Sequence, residues 1–256
     1  MKISVCCPSY KRPKVETLDY LPFCRVYVDC KEADEYIKQN EGADIVACPE
    51  GVQGNLCRVR NYIIEQELKK NDAVLIVDDD LKGIYYHEHL ERHLVESDDF
   101  LSFLEKYSIM AKDMGAFFWG VNVNPDPQCY REYTPFSTKS YIGGPFQCFL
   151  KGGECRYDEN LPLKEDYDMT LQQLNKYRVV LRVNKFFYDC KQSEQAGGCA
   201  TYRNLEREKE QLLLLQKKWG SKIVKFDPCS DRSHSGKKVK KNIDYNPVIK
   251  SPIKGV

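Results

Sequence analysis

The stretch VLIVDDDL, Val74 to Leu81, decides how the chain is read: four apolar residues run straight into three aspartates and return to Leu81. A short apolar run rich in β-branching and bounded by charge suits a strand buried on both faces of a sheet. Its three carboxylates then stand together at one sheet edge. Like charges a few ångströms apart repel strongly in a partly dry cleft, so such a cluster calls for a cation to offset it. Hard divalent ions prefer oxygen ligands of this kind. The alternative is a solvated acidic turn, since Asp is a common turn residue.

Working outward, residues 3–7, 24–28, 45–48 and 73–77 read as strands, with helices over 31–40 and 55–70 between them. Strands alternating with helices predict a parallel sheet, whose ligands bind beyond the strands' carboxyl ends. The loop Pro8-Ser-Tyr-Lys-Arg-Pro13, Asp29 and the aspartate cluster would share that edge. Further on, the pattern predicts a helix over 98–112, strands over 117–123 and 145–150, a helix opening with Glu165 and Asp166, a strand over 177–183, a helix over 202–219 and a last strand at 223–226. Gly143 and Gly144 precede one of these strands and let backbone approach a ligand closely.

The chain has 256 residues, a net charge of +1 and 30% charged residues, so no global field announces a nucleic-acid partner. Twelve cysteines are scattered through apolar runs with no CxxC pair, which reads as buried free thiols in a reducing cytoplasm rather than a disulfide framework. The apolar run at the N-terminus is too short for a signal peptide or a membrane span, so no membrane partner is expected. Residues 1–228 read as one domain. From Arg232 onward the chain carries seven Lys or Arg against one Asp, and 229–256 reads as a basic tail, flexible or folded against a partner.

The order PSYKRP, an Asp after the second strand, GNLCRVRN, DDD and a late ED resembles a family-2-type glycosyltransferase. The resemblance implies an α/β fold of the GT-A (Rossmann-like) type, with a mixed, mainly parallel sheet flanked by helices in a single domain. By it, Pro8, Ser9, Tyr10, Arg12 and Asp29 would hold the base and ribose of a UDP-sugar donor, and Gly54 to Asn61 would border the nucleotide sugar. Arg58 and Val59 stand where that family has small residues. The DxD reading makes Asp80 a direct ligand of Mn²⁺ or Mg²⁺, places Asp78 on the ribose or on the metal through water, and leaves Asp79 to orient its neighbours. His234 corresponds to a late histidine that such enzymes use as a further metal ligand, with a plain loop histidine as the alternative.

The chemistry needs the same parts. A cation stabilises the charge on a departing nucleoside diphosphate, and Arg58 or Arg60 could add a second positive charge over the phosphates. An acceptor hydroxyl needs a base, and Asp166 or its rival Glu165 stands at a helix N-terminus, where an acid also complements the helix dipole. His87, His89 and His93 crowd into HEHLERH, but the HExxH order is absent, so a surface helix is expected there rather than a zinc site.

The segment from Phe146 to Gly198 resembles the phage and eukaryotic branch of these enzymes associated with TET-like dioxygenases. That implies a hydroxymethylated pyrimidine in DNA as acceptor, host cytoplasm if the gene is a phage's, and a DNA partner. Lysines from Gly236 to Lys241 could neutralise phosphates, and Tyr130, Tyr133, Phe136 and Tyr141 could stack on a flipped base. A saccharide or protein acceptor, a nucleotidyltransferase with paired aspartates and two metals, and a DNA-binding module without catalysis stand as alternatives.

Overall fold

In the computed structural model, one ten-stranded sheet runs through the molecule; the structure describes residues 1–190, 198–201, 203–226 and 245–253. Its strands are β1 (Ile3–Pro8), β2 (Arg25–Asp29), β3 (Ile45–Cys48), β4 (Ala73–Val77), β5 (Leu81–Glu88), β6 (Glu91–Leu94), β7 (Phe118–Asn122), β8 (Phe136–Ser137), β9 (Phe146–Leu150) and β10 (Leu181–Cys190). The spatial order is β3-β2-β1-β4-β9-β7-β10-β5-β6, with β8 beside β10. Pairings from β3 to β4 are parallel, β9 runs antiparallel between β4 and β7, and β7 pairs parallel with β10. The expected mixed α/β sheet flanked by helices is what the chain forms.

Helices cover it: α1 (Thr17–Tyr20), α2 (Ala33–Gln39), α3 (Leu56–Glu67), α4 (Ser97–Asp113), α5 (Glu165–Tyr177) and α6 (Leu205–Trp219). Every residue of β4 is buried, and its side chains alternate between two cores. Ala73, Leu75 and Val77 join the cluster under α4, with Phe100, Phe103, Trp119 and Phe146. Val74 and Ile76 join the cluster under α3 and α5, with Ile63, Ile64, Phe118 and Met169. A strand clothed on both faces has no polar side to show, which is why its sequence reads as a continuous apolar run.

Two expectations change. HEHLERH lies on no helix: β5 and β6 form a hairpin whose two-residue turn, His89 and Leu90, has φ of 49° and 68°. A turn with both central residues left-handed matches the strands' twist, and Arg92 stacking over the Tyr85 ring at 3.5 Å closes the pair. The strand expected at 177–183 begins only at Leu181, because α5 ends on Arg178 in the left-handed conformation, and it continues to Cys190.

Within the basic tail, Pro247–Ile249 forms β12, which pairs antiparallel with β11 (Val224–Phe226). There Leu212 and Leu215 of α6 pack with Leu161, Leu171 and Val224. Lys164, fully buried, donates to Glu208 of α6 and to Asn246, which ties both segments to the start of α5. His234 and the lysines of Gly236 to Lys241 lie outside the described residues. Nine cysteines among the described residues are free thiols, and most are buried. Among the described residues no helix is long and apolar enough to cross a membrane.

Candidate active site

A cavity of about 670 Å³ opens at the carboxyl ends of β1 and β4. Its lining includes Pro8, Ser9, Tyr10, Arg12, Gly54, Arg60, the three aspartates, Tyr141, Gly144, Glu165 and Asp166. Residues distant in sequence meet here because β1, β4 and β9 are neighbours and the start of α5 abuts them.

The three aspartates have three different surroundings. Asp79, buried, accepts from Ser9 Oγ at 2.5 Å and pairs with Arg12 Nη1 at 2.9 Å. Burial pushes its pKa up, against the pull of Arg12 and Ser9. Asp78, about a third exposed at 34%, pairs with Arg60 Nη2 at 2.8 Å. Asp80 is buried and, among the described residues, forms no ion pair. Burial and then the charges of Asp78 and Asp79 raise its pKa to about 7. The turn that carries all three is pinned by α1: Thr17 Oγ1 donates to Asp78 O at 2.6 Å and accepts from Leu81 N at 2.9 Å.

The loop after β1 is fastened to the same edge. Ser9 Oγ lies 2.9 Å from the Tyr36 hydroxyl, which also accepts from Arg12 N at 3.0 Å. Lys11 between them takes φ of 56°. The wall formed by Pro8, Ser9, Tyr10 and Arg12 is therefore held at Ser9 and Arg12 by buried and half-buried bonds.

Opposite stands the start of α5. Asp166 accepts from Gly144 N at 3.3 Å, from Tyr167 N at 2.8 Å and from the Tyr141 hydroxyl. Glu165, buried, lies 3.3 Å from Arg60 Nη1. Burial, and then Asp166, push its pKa well up despite the arginine. Arg60, 1% exposed, also donates to Gly144 O at 3.2 Å and Gln147 Oε1 at 3.4 Å. It braces the cavity from beneath, whereas the sequence places it over a diphosphate.

Three expected residues do not line this cavity. Asp29 ends β2 and accepts from Lys31 N at 2.9 Å. Arg58 is drawn outward to Glu159 Oε2 at 2.9 Å and Gly51 O at 2.6 Å. Gly143 is a packing position: a Cβ there would collide with Tyr188 Oη and lie 2.7 Å from Val123 Cγ1. Tyr130, Tyr133 and Phe136 are likewise outside the lining, and Tyr133 is 82% exposed.

The sequence reading missed Gln53, Leu163, Tyr188, Cys190, Asn204, Glu208 and Asn246, all of which line the cavity. The signal for Tyr188 and Cys190 was present as the aromatic run continuing past Val183. Those on α6 and the tail had none, because a long-range docking contact leaves no local pattern.

No group of three or more His, Cys, Asp or Glu among the described residues converges as a ready-made metal site. The oxygen donors of Asp80 and Asp78 still suit Mg²⁺ or Mn²⁺, which take one or two carboxylates and complete their shell with water and substrate phosphates. Asp80, a buried carboxylate whose proton is held more tightly than usual, is the group such a cation would ionise.

No protein-family model and no curated protein matches the chain. Among solved structures, it is similar to S. aureus TarS 1-349, with a TM-score of 0.45 and 15% identity over 73% of this chain. It spans 59% of that TarS chain. It is also similar to a putative nucleotide-diphospho-sugar transferase from Desulfovibrio desulfuricans G20, with TM-score 0.42 and 10% identity over 72% of this chain and 80% of that one. A CMP:2-keto-3-deoxy-manno-octonic acid synthetase complexed with CTP gives TM-score 0.42 and 11% identity over 85% of this chain and all of that one, 100%.

Proposed function

We propose that this chain is a glycosyltransferase moving a sugar from a UDP-sugar to a hydroxyl acceptor, with Mn²⁺ or Mg²⁺ held by Asp80 and Asp78. The observation that carries the reading is Asp80: a buried carboxylate in a large cavity at the end of β4, without an ion pair among the described residues where both neighbouring aspartates have one.

When bound, the cation supplies Lewis-acid stabilisation of charge on the departing diphosphate. The chain's own residues do the rest. Ser9, Tyr36 and Arg12 hold the nucleoside wall in shape against Asp79. Arg60 fixes Asp78 and Glu165 relative to each other. Asp166, aimed by Gly144 N and Tyr141, takes the acceptor's proton as the acceptor oxygen bonds to the anomeric carbon and the carbon–oxygen bond to phosphate breaks. The electron pair of the broken bond leaves with the diphosphate.

For the acceptor we favour 5-hydroxymethylpyrimidine in DNA, in the cytoplasm of a host cell if the gene is a phage's. The support is the sequence resemblance of Phe146 to Gly198 together with the aromatic Tyr141 at the cavity. The test is incubation with a panel of UDP-sugars, Mn²⁺ and hydroxymethylated DNA, following UDP release and the mass of the DNA. A hexose-sized mass gain is expected. Transfer of UMP instead would assign a nucleotidyltransferase, and UDP release with saccharides alone would remove the DNA acceptor.

A further inference from the structure

A second, open depression of about 420 Å³ lies behind the active-site wall. The Tyr141 and Tyr167 rings, stacked with centroids 4.4 Å apart and planes at 16°, line both cavities. The main cavity is rich in carboxylates, whereas the lining of this depression has none. It holds Lys139, Arg182 and Lys250 as charged groups, with the hydroxyls of Ser140 and Ser251. In a chain with 39 basic and 38 acidic residues, three cations around one depression without an acid is a marked local imbalance.

Arg182 is the best-placed of the three. It sits on β10, half-buried, with Nε on Asn184 Oδ1 at 2.9 Å and Nη1 on Tyr141 O at 3.4 Å. Among the described residues no carboxylate pairs with it, nor with Lys139 or Lys250. Burial holds its pKa below the ordinary arginine value, so the charge is desolvated without an offsetting partner. A planar guanidinium flanked by lysines and hydroxyls matches the oxygens of a phosphoryl group.

We propose that this depression is a phosphoryl-binding subsite for the acceptor, formed by Arg182, Lys139 and Lys250 on the far side of the Tyr141–Tyr167 stack from Asp166. The assignment to the acceptor rests on the transferase reading; the binding itself does not. Tyr141 donates to Asp166, so the subsite stands one aromatic layer from the proposed base. An acceptor bearing both a hydroxyl and a phosphoryl group can span that layer. The phosphoryl group comes either from a nucleic-acid backbone or from a small phosphorylated molecule.

The experiment measures binding directly. A labelled single-stranded oligodeoxynucleotide is titrated by anisotropy at several salt concentrations, and inorganic phosphate by phosphorus NMR. Both are run on the full chain, on Arg182→Gln, on the exposed pair Lys139→Gln with Lys250→Gln, and on Lys38→Gln, exposed on α2 at the opposite end of the sheet, as a control. At low salt each subsite variant should lose about tenfold in affinity, with a salt slope shallower by about 1 for each cation removed. The control should match the wild type. Loss of oligodeoxynucleotide binding alone identifies a nucleic acid, and loss of phosphate binding alone a small phosphorylated acceptor. If neither probe binds, or if the lysine pair and Arg182→Gln both bind like wild type, the subsite is wrong. Titration of UDP in parallel separates the two readings, because failure of UDP to bind alongside Arg182-dependent binding removes the donor site and leaves the subsite.

Discussion

Arg60 Nη2 meets Asp78 Oδ1 at 2.8 Å from a position only 1% exposed, so a buried cation holds in place a carboxylate that opens on the cavity. The same guanidinium reaches Glu165. Breaking a buried pair by removing one partner leaves an uncompensated charge and costs about 3–5 kcal/mol. Arg60→Met should fall near the low end, since Asp78 can rehydrate, and adding Glu165→Gln should restore part of it. Urea unfolding at neutral pH measures both.

Asp80→Asn removes the carboxylate that forms no ion pair among the described residues. Calorimetric titration with Mn²⁺ should show at least tenfold weaker binding, whereas Asp79→Asn, which breaks the Arg12 contact, should act mainly on thermal stability. Wild-type Mn²⁺ affinity in Asp80→Asn would remove Asp80 from the metal site.

The pH dependence has a definite sign. Asp80 goes from the ordinary carboxylate value of 3.8 to about 7 on folding, so the folded protein holds this proton more tightly than the unfolded chain. The apoprotein therefore loses stability from this group as pH rises from about 4 through about 7. A cation binds the ionised form, so Mn²⁺ affinity should rise with pH, by up to about tenfold per unit below pH 7. Titrations at pH 6 and pH 8, repeated on Asp80→Asn, check this; a pH-independent affinity in the wild type contradicts it.

Asp166→Asn keeps the size of the side chain and one of its two backbone contacts, since the amide nitrogen cannot accept from an N–H, and it cannot take a proton. The expected loss in kcat is about 10²–10⁴, with donor KM nearly unchanged. Tyr141→Phe, which removes only the hydroxyl aimed at Asp166, should shift the pH profile of kcat and cost less.

Two adjacent glycines separate packing from binding. Gly143→Ala would drive its Cβ into Tyr188 Oη and Val123, and overpacking of this kind costs about 1–3 kcal/mol. At Gly144 the nearest atoms to a Cβ are Arg60 Nη1 and Glu165 Oε1, both at 3.5 Å, which is ordinary contact. Gly144→Ala should melt like wild type while weakening ligand binding at the cavity wall. Paired melting and donor-binding curves distinguish them.

Much of the sheet was legible because β4 buries both faces and leaves an unbroken apolar run, and β1 leaves one interrupted only by Ser4. The helix ends were legible from Asn55, whose side chain caps α3 by accepting from Cys57 N at 2.9 Å, and from the acidic start of α5. The hairpin of β5 and β6 was not, because its turn uses His89 and Leu90 where a glycine or asparagine would have signalled it. At the site, the carboxylates were found as a cluster, but their separate partners were set by Ser9, Arg12 and Arg60 from far along the chain. Arg58 and Arg60 look equivalent in sequence. Two positions of helical rotation send one to solvent and the other beneath the cavity.

The bonds joining Ser9 and Arg12 to both Asp79 and Tyr36 have a thermodynamic corollary for whatever enters the cleft. Loop freedom on that side is surrendered when the polypeptide folds, leaving none to be lost when a guest arrives. Association there should show the heat-capacity signature of buried surface alone, without the larger one that accompanies a chain becoming ordered.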